Sequence, residues 1–148
     1  MARYLVVAHE TATNPVLAEK LHEIQQNDPG AEFTLLVPAT PVRHLLFLRG
    51  NEQDAAAVAD KLAKKARKVL TDKHINVADV RVGSESPDEA IDNEVSSNPE
   101  YAGFVISTLP QETSRWLRMD LPTKVEKKYG LPVHHVLAAP DWNVNYIP

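Results

Sequence analysis

Cysteine is absent from this chain of 148 residues. Its absence excludes a disulfide framework, a thiolate metal site and a cysteine nucleophile. Long apolar runs are absent too, and the run at residues 4–8 is too short for a signal peptide or a membrane span. We therefore expect a cytoplasmic protein that has no membrane partner.

A basic excess is also absent, since 16 lysine and arginine residues stand against 20 aspartate and glutamate residues and the formal net charge is −4. Proteins that bind nucleic acids concentrate basic side chains on one face. The densest basic group lies between positions 61 and 68, where its spacing is typical of the solvated face of a helix. The composition thus predicts no nucleic-acid partner.

Glycine is scarce, with five residues in all and none between Gly103 and Gly130. In an α/β protein, a glycine-rich loop after a strand brings backbone N–H groups against a phosphate. Here the turn that follows the apolar run at residues 104–107 is built from threonine, leucine and proline. Because proline has no N–H to donate, this turn does not favour a phosphate bound to bare backbone.

Short apolar runs alternate along the chain with segments of helical period, as in βα units on a parallel sheet. The predicted fold class is α/β, a three-layer αβα sandwich with a five-stranded parallel sheet and four helices. We predict one domain over residues 1–148, with residues 140–148 as a C-terminal tail. The strands are predicted at residues 4–8, 33–37, 77–82, 103–107 and 131–138.

Capping residues predict where the first two helices begin and end. Asn14 followed by Pro15 is typical of a helix start, and the segment 28–30 predicts the end of that helix. For the second helix we predict Asn51 as the N-cap. Its buried face is predicted to carry Val58, Leu62, Ala66 and Val69.

The third and fourth helices are predicted in the same way. Ser86, with Glu89 three residues later, predicts a capping box with Pro87 at the first helical position. The fourth helix is predicted to begin near residues 113–115 and to end at Gly130. The buried face of the third helix is predicted to carry Ala90, Ile91 and Val95.

Four stretches together resemble the universal stress protein family, which belongs to the HUP group of α/β nucleotide-binding proteins. The stretches are residues 4–9, 82–91, 101–106 and 124–136, and the likeness extends over residues 4–139. The resemblance implies the strand order 3-2-1-4-5. It also implies a sheet edge at strand five that commonly pairs across a two-fold axis, so we expect a homodimer through strand five and the C-terminal tail.

ATP-binding members of that family carry a motif of three spaced glycines followed by serine or threonine. On this sequence the motif positions are occupied by Ser107, Pro110, Asp120 and Leu121. In addition, His9 stands where the family's first strand usually ends in aspartate. The resemblance therefore implies a divergent member that lacks the ATP-binding glycine motif, because a proline offers no N–H and an aspartate repels a triphosphate. No cofactor is predicted.

In a doubly wound sheet the ligand lies at the carboxyl ends of the strands, where the strand order reverses. With the implied order this position is between strands one and four. Arg115 and Arg118 would bring positive charge, and the nearby hydroxyls and helix start would bring hydrogen bonds, so the partner predicted for this site is a small anion. The candidate ligand-binding residues are His9, Glu10, Thr11, Pro38, Val82, Gly83, Ser107, Thr108, Thr113, Ser114 and Arg115.

Each of these residues also has a structural explanation when it is taken singly. Thr113 or Ser114 would serve as a helix cap, and Arg115 would pair with a neighbouring carboxylate. Catalytic and metal sites have weaker support. His9 and Glu10 lack a third metal ligand, and no serine lies in a G-x-S-x-G turn. We predict neither a catalytic nor a metal site.

Three functional hypotheses follow. The favoured one is a non-enzymatic protein, similar to universal stress proteins, that binds a small anion or acts through protein contacts. The alternative is AMP or ATP binding in which Arg115 and hydroxyls replace backbone N–H groups. An enzyme of the wider superfamily is the third.

The adjacent histidines, His134 and His135, are predicted to lie on opposite faces of strand five.

Overall fold

The protein forms a five-stranded parallel sheet covered by helices, described by a computed structural model for residues 2–40, 52–109, 116 and 119–138. The strands are β1 Arg3–Val7, β2 Glu32–Pro38, β3 Val77–Gly83, β4 Gly103–Thr108 and β5 Val133–Leu137. The helices are α1 Pro15–Asn27, α2 Glu52–Asp72, α3 Pro87–Ser97 and α4 Leu121–Tyr129, and a short 3-10 helix spans Glu10–Thr13. The predicted fold class is confirmed.

The strand order is β3-β2-β1-β4-β5, and all pairs are parallel, as the resemblance implied. β1 lies at the centre, where Val6 faces Leu35 of β2 on one side and Val105 of β4 on the other. A strand paired on both edges and covered on both faces must be apolar throughout. This requirement explains the continuous apolar run near the start of the chain.

Two apolar cores lie on the two faces of the sheet. Val6 and Ala8 belong to the core that packs against α1 and α2, whereas Leu5 and Val7 belong to the core that packs against α3 and α4. Successive side chains of a strand point to opposite faces, so one short strand contributes to both cores.

The predicted boundaries of α1 are confirmed. The Asn14 side-chain oxygen accepts a hydrogen bond from the backbone N–H of Val16 at 3.0 Å, and Pro15 occupies the first turn. The helix ends at Asn27, where Asp28 is the C-cap. Asn51, the predicted N-cap of the second helix, lies outside the described residues.

The apolar face predicted for α2 is turned towards the core, but the residues predicted on it are buried to different degrees. Ala66 is fully buried, whereas Val58, Leu62 and Val69 are partly buried. Small side chains let the helix axis approach β2, β3 and the 3-10 helix, so the larger residues lie at the borders of the contact. The residues fully buried on this helix are Ala55, Ala59, Ala63, Ala66 and Leu70.

The capping box predicted for α3 does not form, although the helix begins where expected. Ser86 is the N-cap, but its hydroxyl donates to the Asp88 carboxylate and makes no capping bond to the backbone. Within the helix, Ala90 and Ile91 are buried as predicted, and Val95 is partly buried.

Glu94 is a buried carboxylate on α3 that the sequence analysis did not single out. It accepts hydrogen bonds from the Tyr101 hydroxyl at 2.7 Å and the Asn98 amide at 3.1 Å, and forms an ion pair with Arg81 at 3.3 Å. A buried charge needs such partners. The three contacts therefore fix the C-terminal end of α3 to β3 and to the segment before β4.

The predicted start of the fourth helix, near residues 113–115, lies outside the described residues. Helix α4 itself begins at Leu121, directly after Asp120, whose backbone is left-handed with φ 56° and ψ 43°. Its predicted end is confirmed, because Gly130 has φ 65° and its N–H bonds to the carbonyl of Glu126. Glycine reaches this left-handed conformation without steric cost.

The alanine face of α2 predicts a position-specific response to a larger side chain. Ala59→Leu should lower the free energy of unfolding by about 1–3 kcal/mol, because Ala59 is 0% exposed and the added atoms must displace the sheet. Ala57→Leu, on the exposed side of the same helix, should change it by less than about 0.5 kcal/mol. Urea unfolding of both variants measures the contrast. Equal effects would show that α2 does not press on the sheet.

Candidate functional site at the carboxyl edge of the sheet

A buried hydroxyl pair connects the carboxyl ends of β1 and β4. The Thr11 and Ser107 hydroxyl oxygens are 2.6 Å apart, and the two residues are 2% and 1% exposed. Thr11 reaches this position because the chain turns into the 3-10 helix directly after β1. Two of the predicted site residues are thus brought together at the point where the strand order reverses.

His9 is buried in the same region, between β1 and the 3-10 helix. Its side chain is 7% exposed, and its Nε2 atom has no hydrogen-bond partner among the described residues. Burial lowers the pKa of the imidazole to about 4, so the ring is neutral at pH 7. His9 therefore offers hydrogen-bonding capacity without charge.

Thr108 bonds to a residue that the sequence analysis did not place in the site. Its hydroxyl lies 2.8 Å from Nε2 of His135, and desolvation lowers the pKa of His135. Parallel pairing sets Ile106 against His135, which brings the imidazole beside the end of β4. His134 lies on the other face, with its ring centroid 6.2 Å from that of Tyr4, as predicted for alternating residues.

The Thr108–His135 contact has the form of a hydroxyl and a base, which is one element of nucleophilic catalysis. However, Thr108 is only 2% exposed, and no carboxylate of the described residues hydrogen-bonds to His135. A catalytic hydroxyl needs access to substrate and a base that is held in orientation. We therefore interpret the pair as a structural link between β4 and β5.

The predicted residues on β2 and β3 form a separate group. Pro38 pairs with Gly83, and the backbone N–H of Ala39 continues the contact to the Gly83 carbonyl at 3.1 Å. A Cβ atom at Gly83 would lie 2.6 Å from the Cβ of Ala90, so this glycine allows α3 to pack closely on the strand. The Val82 side chain is 40% exposed on the edge strand.

A cleft of about 480 Å³ lies beside this second group, and the sequence analysis missed it. The Thr40 hydroxyl donates to the Glu85 carbonyl at 3.0 Å and joins the two loops that border it. The sequence signal for the cleft was the run of polar residues directly after strand three. The described residues that line the cleft are Thr40, Ser84, Glu85, Ser86, Pro87, Glu89, Trp116 and Met119.

The remaining predicted residues are distributed as follows. Glu10 is the first residue of the 3-10 helix and is partly buried. Thr113, Ser114 and Arg115 lie outside the described residues.

Within the described ranges, no group of three or more histidine, aspartate or glutamate side chains is arranged to hold a metal ion. None of the helices in the same ranges combines the length and the apolarity needed to cross a bilayer.

Asp120 occupies the third glycine position of the motif considered above. Its left-handed backbone is the conformation that glycine adopts most easily, yet the side chain here is an exposed carboxylate. This carboxylate stands at the N-terminus of α4, the end of a helix that otherwise attracts anions. The backbone geometry of a glycine is thus combined with a negative charge.

The fold is shared with a known protein. A universal stress protein family protein from Arabidopsis thaliana, whose crystal structure has AMP bound, superposes with a TM-score of 0.62 at 12% sequence identity. The match covers 96% of this chain and 95% of that chain. The protein has a universal-stress-protein-like fold. No family model and no curated protein matches the sequence.

The buried imidazole predicts a specific pH dependence of stability. The His9 pKa is 6.5 in the unfolded chain and about 4 in the folded protein, so the contribution of the neutral ring is complete above pH 6.5 and is lost as the pH falls towards 4. Between pH 7.5 and 4.5 the wild type should lose roughly 2–3 kcal/mol more unfolding free energy than His9→Leu. Urea unfolding across this range measures the difference. Parallel losses would assign the acid sensitivity to other groups.

Proposed function

We propose that this protein is a non-enzymatic, universal-stress-protein-like binding protein that belongs to the divergent part of that family and lacks its ATP site. It acts in the cytoplasm. Its ligand site lies at the carboxyl ends of β1 and β4 and takes a small polar ligand. The proposal is supported by the fold and by the hydroxyl and imidazole groups that meet at this edge.

One observation carries the exclusion of ATP. Asp120 places a carboxylate at the N-terminus of α4, in the backbone conformation where a glycine would leave that end open. Ser107 adds a side chain at the first motif position, and its hydroxyl is already bonded to Thr11. A triphosphate would meet like charge in place of free N–H groups.

In one version of this proposal the ligand is a small anion, and the attraction between opposite charges provides the affinity. The positive charge would come from Arg115 and Arg118 of the sequence, because His9 is neutral at pH 7 and Thr11, Ser107 and Thr108 carry no charge. In the other version the protein binds no small ligand and acts through contacts with another protein. In both versions the phosphate site for ATP is absent.

The second candidate function is AMP binding. The observation that favours it is the structural neighbour, whose crystal structure has AMP bound. A monophosphate carries less charge than a triphosphate and suffers less repulsion from Asp120. In this alternative, hydroxyl groups and Arg115 would replace the missing backbone donors.

Isothermal titration calorimetry with Mg-ATP and with AMP tests the proposal. We expect no saturable ATP binding by the wild type, with a dissociation constant weaker than about 1 mM. Asp120→Asn is the matched variant, because asparagine also tolerates the left-handed backbone but carries no charge. It should raise the ATP association constant and affect AMP less, since the repulsion scales with ligand charge.

A low-micromolar dissociation constant for ATP in the wild type would contradict the proposal. Saturable binding of AMP without ATP would select the second candidate. An Asp120→Asn variant that binds ATP no better than the wild type would show that the carboxylate is not the cause of exclusion.

We also propose a homodimer formed through β5. This strand is an edge of the sheet, and Leu137 on it is 51% exposed. An edge that no other described strand pairs with, and that carries an exposed leucine, favours pairing with a second copy of the chain. The C-terminal tail at residues 140–148, which is predicted to take part in the dimer, lies outside the described residues.

Light scattering coupled to size-exclusion chromatography tests the dimer. The wild type should be dimeric at micromolar concentration, and Leu137→Lys should raise the dimer dissociation constant by at least about tenfold, because it places charge in the interface. Val82→Lys is the control, since Val82 is 40% exposed on β3 at the opposite edge. A wild-type protein that is monomeric over a wide range of dilution would contradict the proposed dimer.

A further inference from the structure

The two edge strands of the sheet, β3 and β5, differ in their chemistry. β5 contains no aspartate, glutamate, lysine or arginine, and its Leu137 is 51% exposed. β3 instead carries Asp79 and Arg81 in the middle of the strand. An edge strand offers its outward N–H and C=O groups to any second strand, and charged side chains are one means by which proteins prevent such pairing. The contrast indicates that the two edges have different roles in assembly.

The pairing with β2 decides which backbone groups of β3 face the open edge. The N–H of Ala39, directly after β2, bonds to the carbonyl of Gly83, so Gly83 faces β2. Successive residues of a strand turn their backbone groups to alternate sides, so Arg81 faces β2 as well. Val80 and Val82 therefore turn their N–H groups to the outer edge, where no described strand pairs with them.

The outward N–H of Val80 already has an acceptor. It donates to Oδ1 of Asp79 at 2.8 Å. The other carboxylate oxygen, Oδ2, lies 2.9 Å from Nη2 of Arg81, and Nε of the same arginine lies 3.3 Å from the buried carboxylate of Glu94. These contacts hold the Asp79 carboxylate against the backbone. A strand that approached this edge would find the central donor bonded and a charge beside it.

A β-bulge in β3 lies next to this hydrogen bond. Phe33 pairs with Val77 and Thr34 pairs with Asp79, so Ala78 is an extra residue on the edge strand. A bulge breaks the regular spacing of the backbone groups and bends the strand, and bulges are frequent at sheet edges where pairing ends. Because the bulge directly precedes Asp79, both features interrupt the same part of the edge.

We infer that Asp79 closes the β3 edge to strand pairing, so that a second copy of this chain can add a strand only at β5. The carboxylate does so by occupying the Val80 N–H and by placing a charge at the edge. The closure of β3 does not depend on the proposed dimer, since it applies to a monomer as well. Asp79 thus determines the direction of assembly and takes no part in ligand binding.

Amide hydrogen exchange of the full-length protein, measured by NMR, tests the hydrogen bond itself. The protection factor of the Val80 amide should exceed that of the Val82 amide by at least about tenfold, because Val82 faces the same edge but follows Arg81, which has no acceptor. Asp79→Val should remove this difference. Asp79→Asn keeps a side-chain oxygen and should preserve most of it. Equal protection of the two amides in the wild type would overturn the inference.

Sedimentation velocity tests the consequence for assembly, in a Leu137→Lys background that places charge on the β5 edge. Adding Asp79→Val should raise the association constant by at least about tenfold, whereas adding Asp79→Asn should leave it within a few fold. Val82→Lys, combined with Asp79→Val, should reverse the gain because it returns a charge to the β3 edge. Circular dichroism should show that the Asp79 variants are folded, since about half of this side chain is exposed.

Each outcome has a defined meaning. An Asp79→Val variant that associates no more strongly than its parent would overturn the inference, and so would a gain that Val82→Lys does not reverse. If Leu137→Lys remains dimeric, the proposed β5 dimer fails, and opening of β3 is then measured as a larger assembly. If Asp79→Val does not fold, the exchange of the Val80 amide in the wild type and in Asp79→Asn decides the question.

Discussion

The pairing of β1 on both of its edges is the constraint on which the rest of the structure depends. Hydrogen bonds to β2 and β4 fix it at the centre of the sheet, with α1 packed on one face and α4 on the other. The short O–O contact between Thr11 and Ser107 joins the carboxyl ends of β1 and β4. His9, Thr11 and Ser107 are positioned by this arrangement.

Much of the fold could be predicted because its determinants are local in sequence. The apolar run at residues 4–8 predicts a buried strand, and Asn14 before Pro15 predicts a helix start, since both signals act within a few residues. Asp79 and Arg81 interrupt the apolar pattern of β3, as is typical of an edge strand, and they form an ion pair with each other at 2.9 Å. The strand order required more than local signals and came from the family resemblance.

Features that depend on distances between elements could not be predicted from patterns. The buried face of α2 consists mainly of alanine, a residue too small and too weakly apolar to stand out beside valine and leucine. The bond from Thr108 to His135 depends on the register of β4 and β5. The left-handed backbone of Asp120 could not be predicted, because aspartate tolerates this conformation but, unlike glycine, is not a sequence signal for it. For the candidate site, the sequence predicts its location at the carboxyl edge of the sheet, whereas the charge state of His9 depends on burial, which only the structure describes.

The three contacts of Glu94 have a mechanical consequence for α3. They anchor the C-terminal end of this helix to Arg81 of β3 and to Asn98 and Tyr101 before β4. The other end of the helix borders the cleft. Between the two ends, Asp92 bonds to Lys128 and Tyr129 of α4. A movement of the first turn of α3 that widens the cleft would thus have to bend the helix ahead of Asp92 or break these side-chain bonds.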